Sequence, residues 1–218
     1  MDKRHIKIAP SIASADQSHL GWAVEQANDG GADLLHFDIE DGVFIPNLTF
    51  GPKTIEHLRS KSELPFDVHL EVHHPEDYLK AVVAAGADIV TVQVESTRFP
   101  YQALNTLRNQ GVRTGLAFNA ATMLDIAQPA LDSLDVIHLM MAEPDGVYMP
   151  GLIEKVRQAN AIIGDRPIEL EVDGGVSFEN AAVLVEAGAT ILVAGRVIWG
   201  TKEPASAIQR LREAALST

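Results

Sequence analysis

A histidine and two acidic residues alternate along one short segment, Leu34-Leu35-His36-Phe37-Asp38-Ile39-Glu40. If this segment is a β-strand, its repeat of two places His36, Asp38 and Glu40 on one face and the apolar residues between them on the other. The apolar face is expected to pack against helices. The polar face then points into the interior, where an unpaired charge is costly. Taken alone, the motif fits either a hydrogen-bonded pair in the core or part of a metal site.

Two further segments end in the same kinds of side chain. Phe66-Asp67-Val68-His69-Leu70-Glu71 repeats the alternation, and Glu171-Val172-Asp173 leads into Gly174-Gly175. Three strand ends therefore offer two imidazoles and two carboxylates, from His36, Asp38, His69 and Asp173. This ligand set suits a divalent transition metal and leaves room for substrate oxygens. We predict one divalent ion per chain, with Zn²⁺ as the first expectation and Mn²⁺, Fe²⁺ or Co²⁺ as alternatives.

Short apolar segments with the composition of strands alternate with helix-like segments along the chain. The predicted strands cover 6–10, 33–39, 65–71, 88–94, 112–118, 135–141, 168–173 and 190–195. The predicted helices lie near 16–30, 51–60, 75–86, 101–110, 122–130, 150–163, 177–188 and 203–215. Several helices end in glycine just before the next strand, as a left-handed C-terminal cap requires.

Eight strand–helix pairs in alternation predict a parallel sheet of the α/β class. The pairs fill the 218 residues, so we expect residues 1–218 to form a single (β/α)₈ TIM barrel. An open, doubly wound sheet is the alternative, but Gly30-Gly31 and Gly174-Gly175 do not fit the dinucleotide-binding pattern G-x-G-x-x-G. Active groups of a parallel barrel lie at the C-terminal ends of its strands, where the predicted ligands fall.

The charge and composition of the chain restrict its partners. The 17 Lys and Arg against 30 Asp and Glu give a formal net charge of −13. This charge argues against nucleic acid and anionic membranes, although a pocket of reversed local sign could still bind an anionic small molecule. The sequence has no cysteine, which excludes disulfides and thiolate ligands. With no apolar leader or spanning segment in the sequence, we expect a cytoplasmic protein, and we expect it to be a homo-oligomer.

Motifs spread in order over nearly the whole chain resemble those of the ribulose-phosphate 3-epimerase family, one of the ribulose-phosphate-binding barrels. The matching segments are Ile8-Ala9-Pro10-Ser11-Ile12-Ala13-Ser14-Ala15-Asp16, His36-Phe37-Asp38-Ile39-Glu40-Asp41-Gly42, Phe44-Ile45-Pro46-Asn47-Leu48-Thr49-Phe50-Gly51, Asp67-Val68-His69-Leu70, Phe118-Asn119-Ala120-Ala121-Thr122 and Glu171-Val172-Asp173-Gly174-Gly175. Together these motifs are specific for the family and less so for its substrate.

The resemblance implies a reaction and a set of roles. It implies inversion at C3 of a ketose phosphate, with D-ribulose 5-phosphate and D-xylulose 5-phosphate as the default pair. One aspartate, Asp38 or Asp173, would remove the C3 proton and the other would return a proton to the opposite face. The metal, on the four ligands named above, would stabilise the cis-enediolate between them. The positions that match substrate contacts are Ser11, Met140, Gly174, Gly175 and Gly195.

Two acidic residues depart from the family pattern. Glu40 and Glu71 stand where typical members have methionines that line the pocket, and both share the strand parity of the metal ligands. Extra carboxylates beside a metal and its bases would raise pKa values or require basic partners. The alternative is that both side chains turn to solvent at the strand tips. Gln93 also stands where many members have histidine.

The phosphate-binding region departs as well. Typical members carry a glycine-rich loop after strand six, whereas this chain has the shorter Glu143-Pro144-Asp145-Gly146-Val147-Tyr148-Met149-Pro150-Gly151. After strand eight, arginine replaces the usual serine in Ala194-Gly195-Arg196. We predict that Arg196 binds the phosphate, since a guanidinium grips an oxyanion in bidentate fashion. A surface ion pair is the alternative for this residue.

Other functions remain open at this stage. The same epimerisation could act on a ketose phosphate of four or six carbons. An aldolase or decarboxylase of the superfamily is disfavoured because the strand-two and strand-three motifs lack a lysine. A non-catalytic sugar-phosphate-binding barrel is the remaining class. The histidines that we expect to be structural are His5, His19, His57 and His138, and His73-His74 are expected in a loop above the pocket.

Overall fold

Eight parallel strands form one ring in the computed structural model, which describes residues 6–144 and 146–217. From the second strand onward each strand pairs with the next along the chain, and the first pairs with the last. An isolated bridge from Ser11 to His36 joins the first two strands and closes the ring. The strands are β1 (Lys7–Pro10), β2 (Leu35–Glu40), β3 (Phe66–Glu71), β4 (Ile89–Gln93), β5 (Arg113–Phe118), β6 (Val136–Met140), β7 (Glu169–Asp173) and β8 (Ile191–Ala194). The predicted TIM barrel is confirmed.

Helices follow the strands and cover the outside of the ring. The α-helices are α1 (Leu20–Asp29), α2 (Pro52–Arg59), α3 (Leu79–Ala84), α4 (Pro100–Arg108), α5 (Ile153–Ile163), α6 (Ala181–Ala187), α7 (Arg196–Trp199) and α8 (Pro204–Leu216). The sequence did not predict α7. The helix-like segment near 122–130 is a 3₁₀ helix, Leu124–Ser133, rather than an α-helix. Pro129 lies inside it, and a proline has no amide hydrogen with which to continue an α-helix.

The interior of the barrel changes character from bottom to top. At the N-terminal ends of the strands, Glu169 pairs with Lys7 at 2.5 Å and with Arg113 at 2.6 Å. Above this ion-pair group lies a small apolar cluster that includes Leu34, Ile89, Val136 and Ile191. The larger apolar core lies outside the ring, between strands and helices. Polar inward-facing residues of the upper strands, such as His36, His69 and Glu171, are buried as well.

The two ends of the chain meet beside β1. The indole Nε1 of Trp199 donates a hydrogen bond of 2.7 Å to the carbonyl oxygen of Ser11. Arg212, on α8, donates to the carbonyl oxygen of Ile6 at 2.8 Å and to Asp33 at 2.7 Å. The C-terminal helices thus hold the first strand in place.

The prediction of one domain over 1–218 also covers residues 1–5, 145 and 218, which lie outside the described residues, as does His5. Within the described part of the chain, the helices are all too short or too polar to span a membrane.

Candidate active site and metal centre

A cavity of about 360 Å³ opens at the C-terminal ends of the strands. Its wall includes predicted site residues from both sides of the ring, together with the two unexpected glutamates. The residues of interest that line it are Ser11, Asp38, Glu40, Glu71, Asn119, Met140, Gly146, Asp173, Gly174, Gly175, Gly195 and Arg196. Every predicted substrate-contacting residue therefore borders one space.

The four predicted metal ligands converge on the same region. One nitrogen or carboxylate oxygen from each of His36, Asp38, His69 and Asp173 lies within 4.8 Å of the others. This spacing is close to the ~4.2 Å that two metal–ligand bonds of about 2.1 Å span end to end. The buried Nε2 of His69 has no hydrogen-bond partner, which is costly unless another group occupies that direction. The donor set and this unpaired nitrogen both fit a divalent transition metal.

Asp67 orients the first histidine ligand. Its Oδ2 lies 2.8 Å from Nδ1 of His36, and Nε2 of the same ring lies 2.9 Å from Oδ1 of Asp38. A carboxylate behind a histidine in this way fixes the ring and raises the basicity of the nitrogen that faces the metal. The sequence already indicated the direction of Asp67, because it lies two residues before His69 on β3 and therefore on the same face of the strand.

His138, which we expected to be structural, has partners in the core that the sequence did not place. Its fully buried ring lies between Glu171, whose Oε1 is 2.6 Å from Nδ1, and Met140, whose Sδ is 3.2 Å from Nε2. The ring centroid is 4.3 Å from that of His69 and 5.5 Å from that of His36. The sequence signal was present, because His138 has the same parity on β6 as Met140, and Glu171 has the same parity on β7 as Asp173.

The buried imidazoles differ in charge. Burial lowers the pKa of His36, but the carboxylates of Asp38 and Asp67 more than offset this and hold it well above its usual value. Burial, with the neighbouring imidazoles, lowers the pKa of His69 to about 4. A histidine that is neutral at pH 7 has a free nitrogen lone pair, as a metal ligand must.

The two aspartates of the site have opposite pKa shifts. Burial raises the pKa of Asp38, but His36 and His69 outweigh it and hold this pKa well below its usual range. Burial and the nearby charge of Asp38 raise the pKa of Asp173 to about 6. Asp38 is therefore ionised well below neutral pH, while Asp173 keeps its proton to a higher pH than an ordinary carboxyl group, and a separation of this kind distinguishes a base from an acid.

Glu40 and Glu71 form the upper layer of the site, where β2 and β3 end side by side in register. Both line the cavity, and Glu71 is only 4% exposed. Burial and the adjacent aspartates raise the pKa of Glu71 well above its usual value, and burial with Asp38 raises that of Glu40. The alternative that both side chains turn to solvent is wrong for Glu71.

The opposite wall of the cavity is built from glycines and Arg196. Gly174 and Gly175 have φ of 95° and 71°, a region that other residues avoid. A Cβ at Gly195 would lie 2.2 Å from Oγ of Ser14. The amide of Gly174 donates to Oδ1 of Asp173 at 2.6 Å, so it holds a carboxyl group rather than pointing freely into the cavity.

Arg196 lies at the start of α7 and reaches across to the shortened loop. Its Nη2 donates to the carbonyl oxygen of Gly146. Among residues 6–144 and 146–217 it forms no ion pair, and Asp145, beside Gly146, lies outside the described residues. The phosphate role and the surface-pair alternative both stay predictions. The arginine thus links the loop after β6 with the loop after β8 at the edge of the cavity.

Comparisons with known proteins agree on the sequence family. Residues 7–199 match the sequence profile of the ribulose-phosphate 3 epimerase family. The chain is 40% identical to ribulose-phosphate 3-epimerase 1 of Cupriavidus necator, with 99% of this chain and 95% of that protein covered. It is 36% identical to ribulose-phosphate 3-epimerase of Bacillus subtilis, with 95% and 98% covered.

Solved structures support the fold. The structure of KGPDC from Streptococcus mutans superposes with a TM-score of 0.73 at 16% identity, covering 96% of this chain and 97% of that one. A 3-hexulose-6-phosphate synthase gives 0.69 at 20% identity, covering 96% and 99%. At these identities the likeness concerns the barrel alone. From the sequence comparisons, the chain belongs to the ribulose-phosphate 3-epimerase family.

Proposed function

We propose that this chain catalyses metal-dependent epimerisation at C3 of a ketose phosphate, with D-ribulose 5-phosphate and D-xylulose 5-phosphate as the default pair. The reaction exchanges the proton on a carbon next to a ketone, through an enediolate. Inversion requires one carboxyl group on each side of that planar intermediate.

The observation that carries the proposal is the pair Asp38 and Asp173. Asp38 lies near the C-terminal end of β2 and Asp173 ends β7. Both border the cavity, and their pKa values are shifted in opposite directions. In one direction of the reaction, ionised Asp38 removes the C3 proton and Asp173 delivers one from the other face. The reverse direction exchanges these roles, as microscopic reversibility requires.

The surroundings of Asp38 support its role. Its Oδ2 accepts a hydrogen bond from Oγ of Ser11, and Oδ1 faces His36 and His69. With contacts on both oxygens, the carboxylate has one orientation toward the cavity. His36, Asp38, His69 and Asp173 would hold the metal, and Zn²⁺ is the ion that we propose for them. When bound, the ion would polarise the ketone and hydroxyl oxygens as a Lewis acid.

The phosphate end of the substrate is assigned to the wall opposite β3. Gly175, Gly195 and Arg196 provide close backbone approach and a guanidinium there, between the loops after β7 and β8, where barrels of this kind hold phosphate. Arginine has five donors, and among the described residues the guanidinium donates only to Gly146. Cytoplasmic location and assembly as a homo-oligomer remain predictions from the sequence.

Proton exchange in D₂O tests the proposal. The metal-loaded protein is incubated with D-ribulose 5-phosphate, D-xylulose 5-phosphate and ketose phosphates of four and six carbons, and loss of the C3 proton is followed by NMR. We expect exchange accompanied by interconversion of the C3 epimers. Exchange only with another chain length would assign the same reaction to a different ketose phosphate. Binding without exchange at any metal loading would identify a non-catalytic sugar-phosphate-binding barrel and reject the proposal.

A further inference from the structure

One wall of the cavity, at the end of β3, takes no part in the proposed proton transfer. In a ring of eight strands, β3 and β7 lie four positions apart and therefore face each other. Glu71 ends β3, and Gly174-Gly175 follow β7. Both lie on the surface of the same cavity. A substrate whose phosphate lies near β7 and β8 thus extends toward Glu71.

Glu71 is a buried acceptor without a partner. It is 4% exposed and lines the cavity. Within residues 6–144 and 146–217 its carboxyl group has no hydrogen bond, and its oxygens are open to the cavity rather than sealed in the core. Oε2 of the neighbouring Glu40 is buried without a hydrogen bond. Polar groups of this kind are usually hydrogen-bonded in folded proteins, so acceptors at the surface of a cavity point to a ligand that supplies the donor.

The metal does not account for these oxygens. Among the described residues, the groups with the spacing of metal ligands include Asp38 and Asp173 but neither Glu40 nor Glu71. Asn47 hydrogen-bonds the side chain of Glu40, which leaves Oε2 of Glu40 and the carboxyl group of Glu71 without a donor among the described residues. Arg196 borders the same cavity and pairs with Gly146 instead. A substrate in the cavity can supply the donor.

We propose that Glu71, with Glu40 beside it, determines specificity by accepting a hydrogen bond from the terminal C1 hydroxyl of the ketose. The inference rests on the proposed function, which fixes the order of groups. With phosphate at one wall and C3 between Asp38 and Asp173, C1 is the end of the molecule that reaches β3. A carboxyl oxygen accepts from a hydroxyl whether or not the acid is ionised.

The proposal predicts selection against a ketose that lacks this hydroxyl. A site built to hydrogen-bond a substrate hydroxyl rejects the analogue without it, because its own polar group is then buried and unpaired. We expect the wild-type protein to prefer D-xylulose 5-phosphate over 1-deoxy-D-xylulose 5-phosphate by roughly ten- to a hundredfold in kcat/KM for C3 exchange. A methionine at position 71 has no strong acceptor, so Glu71→Met should lose most of this preference. The amide oxygen in Glu71→Gln should retain part of it.

The experiment compares both substrates in the wild type, Glu71→Met, Glu71→Gln and Glu56→Met, each metal-loaded and assayed in D₂O. Glu56 is exposed on α2, away from the cavity, so its variant should keep the wild-type ratio. Taking the ratio of two substrates within one variant cancels any loss of folded enzyme. A wild type that exchanges both substrates equally, or Glu71→Met with the wild-type ratio, overturns the inference and leaves the proposed function intact. A wild type that exchanges neither substrate overturns the inference for this pair, and exchange with the ketose phosphates of four and six carbons then decides the proposed function separately.

Discussion

The hydroxyl Oγ of Ser11 lies 2.8 Å from Oδ2 of Asp38, although 27 residues separate them along the chain. The same aspartate presents Oδ1 to Nε2 of His36 at 2.9 Å. The carboxylate is thus held from two neighbouring strands. Its orientation toward the cavity is set before any ligand arrives, and pre-organised groups of this kind contribute most to catalysis.

Metal binding depends on the histidines. We expect about one divalent ion per chain, because four nitrogen and oxygen ligands converge on one point. His69→Ala should remove most of this binding, since it deletes the buried nitrogen that has no other partner. Metal content after dialysis, measured by mass spectrometry, checks the prediction. His57→Ala, an exposed change on α2, is the control and should bind normally. Stoichiometric binding in the double variant His36→Ala/His69→Ala would contradict the assignment.

Removal of either aspartate should abolish turnover while leaving the fold intact. Each acid or base contributes roughly 10²–10⁴-fold, and Asp38→Asn and Asp173→Asn also weaken the metal site, so we expect losses of several orders of magnitude. The assay is C3 exchange, with circular dichroism as the check on folding. Asp29→Asn, at the exposed end of α1, should behave as wild type. A near-normal rate in either site variant would remove that residue from the reaction.

Arg196 is expected to act on binding. Losing one charge-assisted hydrogen bond of roughly 1.5–3 kcal/mol should raise KM by roughly ten- to a hundredfold in Arg196→Ser, with kcat less affected, the pattern of lost uniform binding. Steady-state kinetics check this, and Arg157→Ser on the exposed face of α5 is the matched control. If Arg196→Ser binds the phosphorylated sugar with unchanged affinity, Arg196 does not bind the phosphate and only contacts Gly146. A preference for the unphosphorylated ketose would reject the phosphate assignment.

Stability of the metal-free protein should depend on pH through Asp173. Burial and Asp38 raise its pKa to about 6, above the ~3.9 of an unfolded chain. Below about pH 4 the carboxyl group of Asp173 is protonated in both the folded and the unfolded state, so it does not lower the free energy of unfolding. Between about pH 4 and 6 the unfolded state releases its proton first, so the folded state loses stability as the pH rises.

Asp173→Asn removes this cost. With metal chelated, we expect the variant to be more stable than wild type by roughly 1–3 kcal/mol at pH 7.5, and the gap should shrink toward zero near pH 4. Urea unfolding at several pH values measures it. A difference that does not change with pH would show that Asp173 is not destabilised in the folded state. Adding metal should restore the wild type and have little effect on the variant, which lacks one ligand.

Strand parity predicted much of the site. His36, Asp38 and His69 could be placed inside the barrel because alternation by two fixes which side chains share a face. The same alternation predicted that Glu71 faces inward, and its buried side chain does line the cavity. Parity gives the direction of a side chain and not its partner across the barrel. The pairing of His138 with Glu171, and of Asp67 with His36, became visible only when the register between strands was known.

Features that depend on loop geometry could not be predicted in this way. The short helix α7 and the contact of Arg196 with Gly146 both follow from how the loops after β6 and β8 approach each other. Nothing in the local pattern of either loop records that distance. The 3₁₀ conformation of Leu124–Ser133 was a different case, because Pro129 stood in the sequence as a sign against an α-helix.

Closure of the ring determines when a newly synthesised chain can form the complete metal site. β1 pairs with β8, and Trp199 and Arg212 hold the residues that flank β1, which were synthesised 188 and 206 residues earlier. Ser11, which orients Asp38, follows directly on β1. A nascent chain on the ribosome therefore has the two histidines in place long before Asp173 and the closing contacts exist. We expect metal capture to come after release of the full-length polypeptide, which protects the growing chain from binding an ion at an incomplete site.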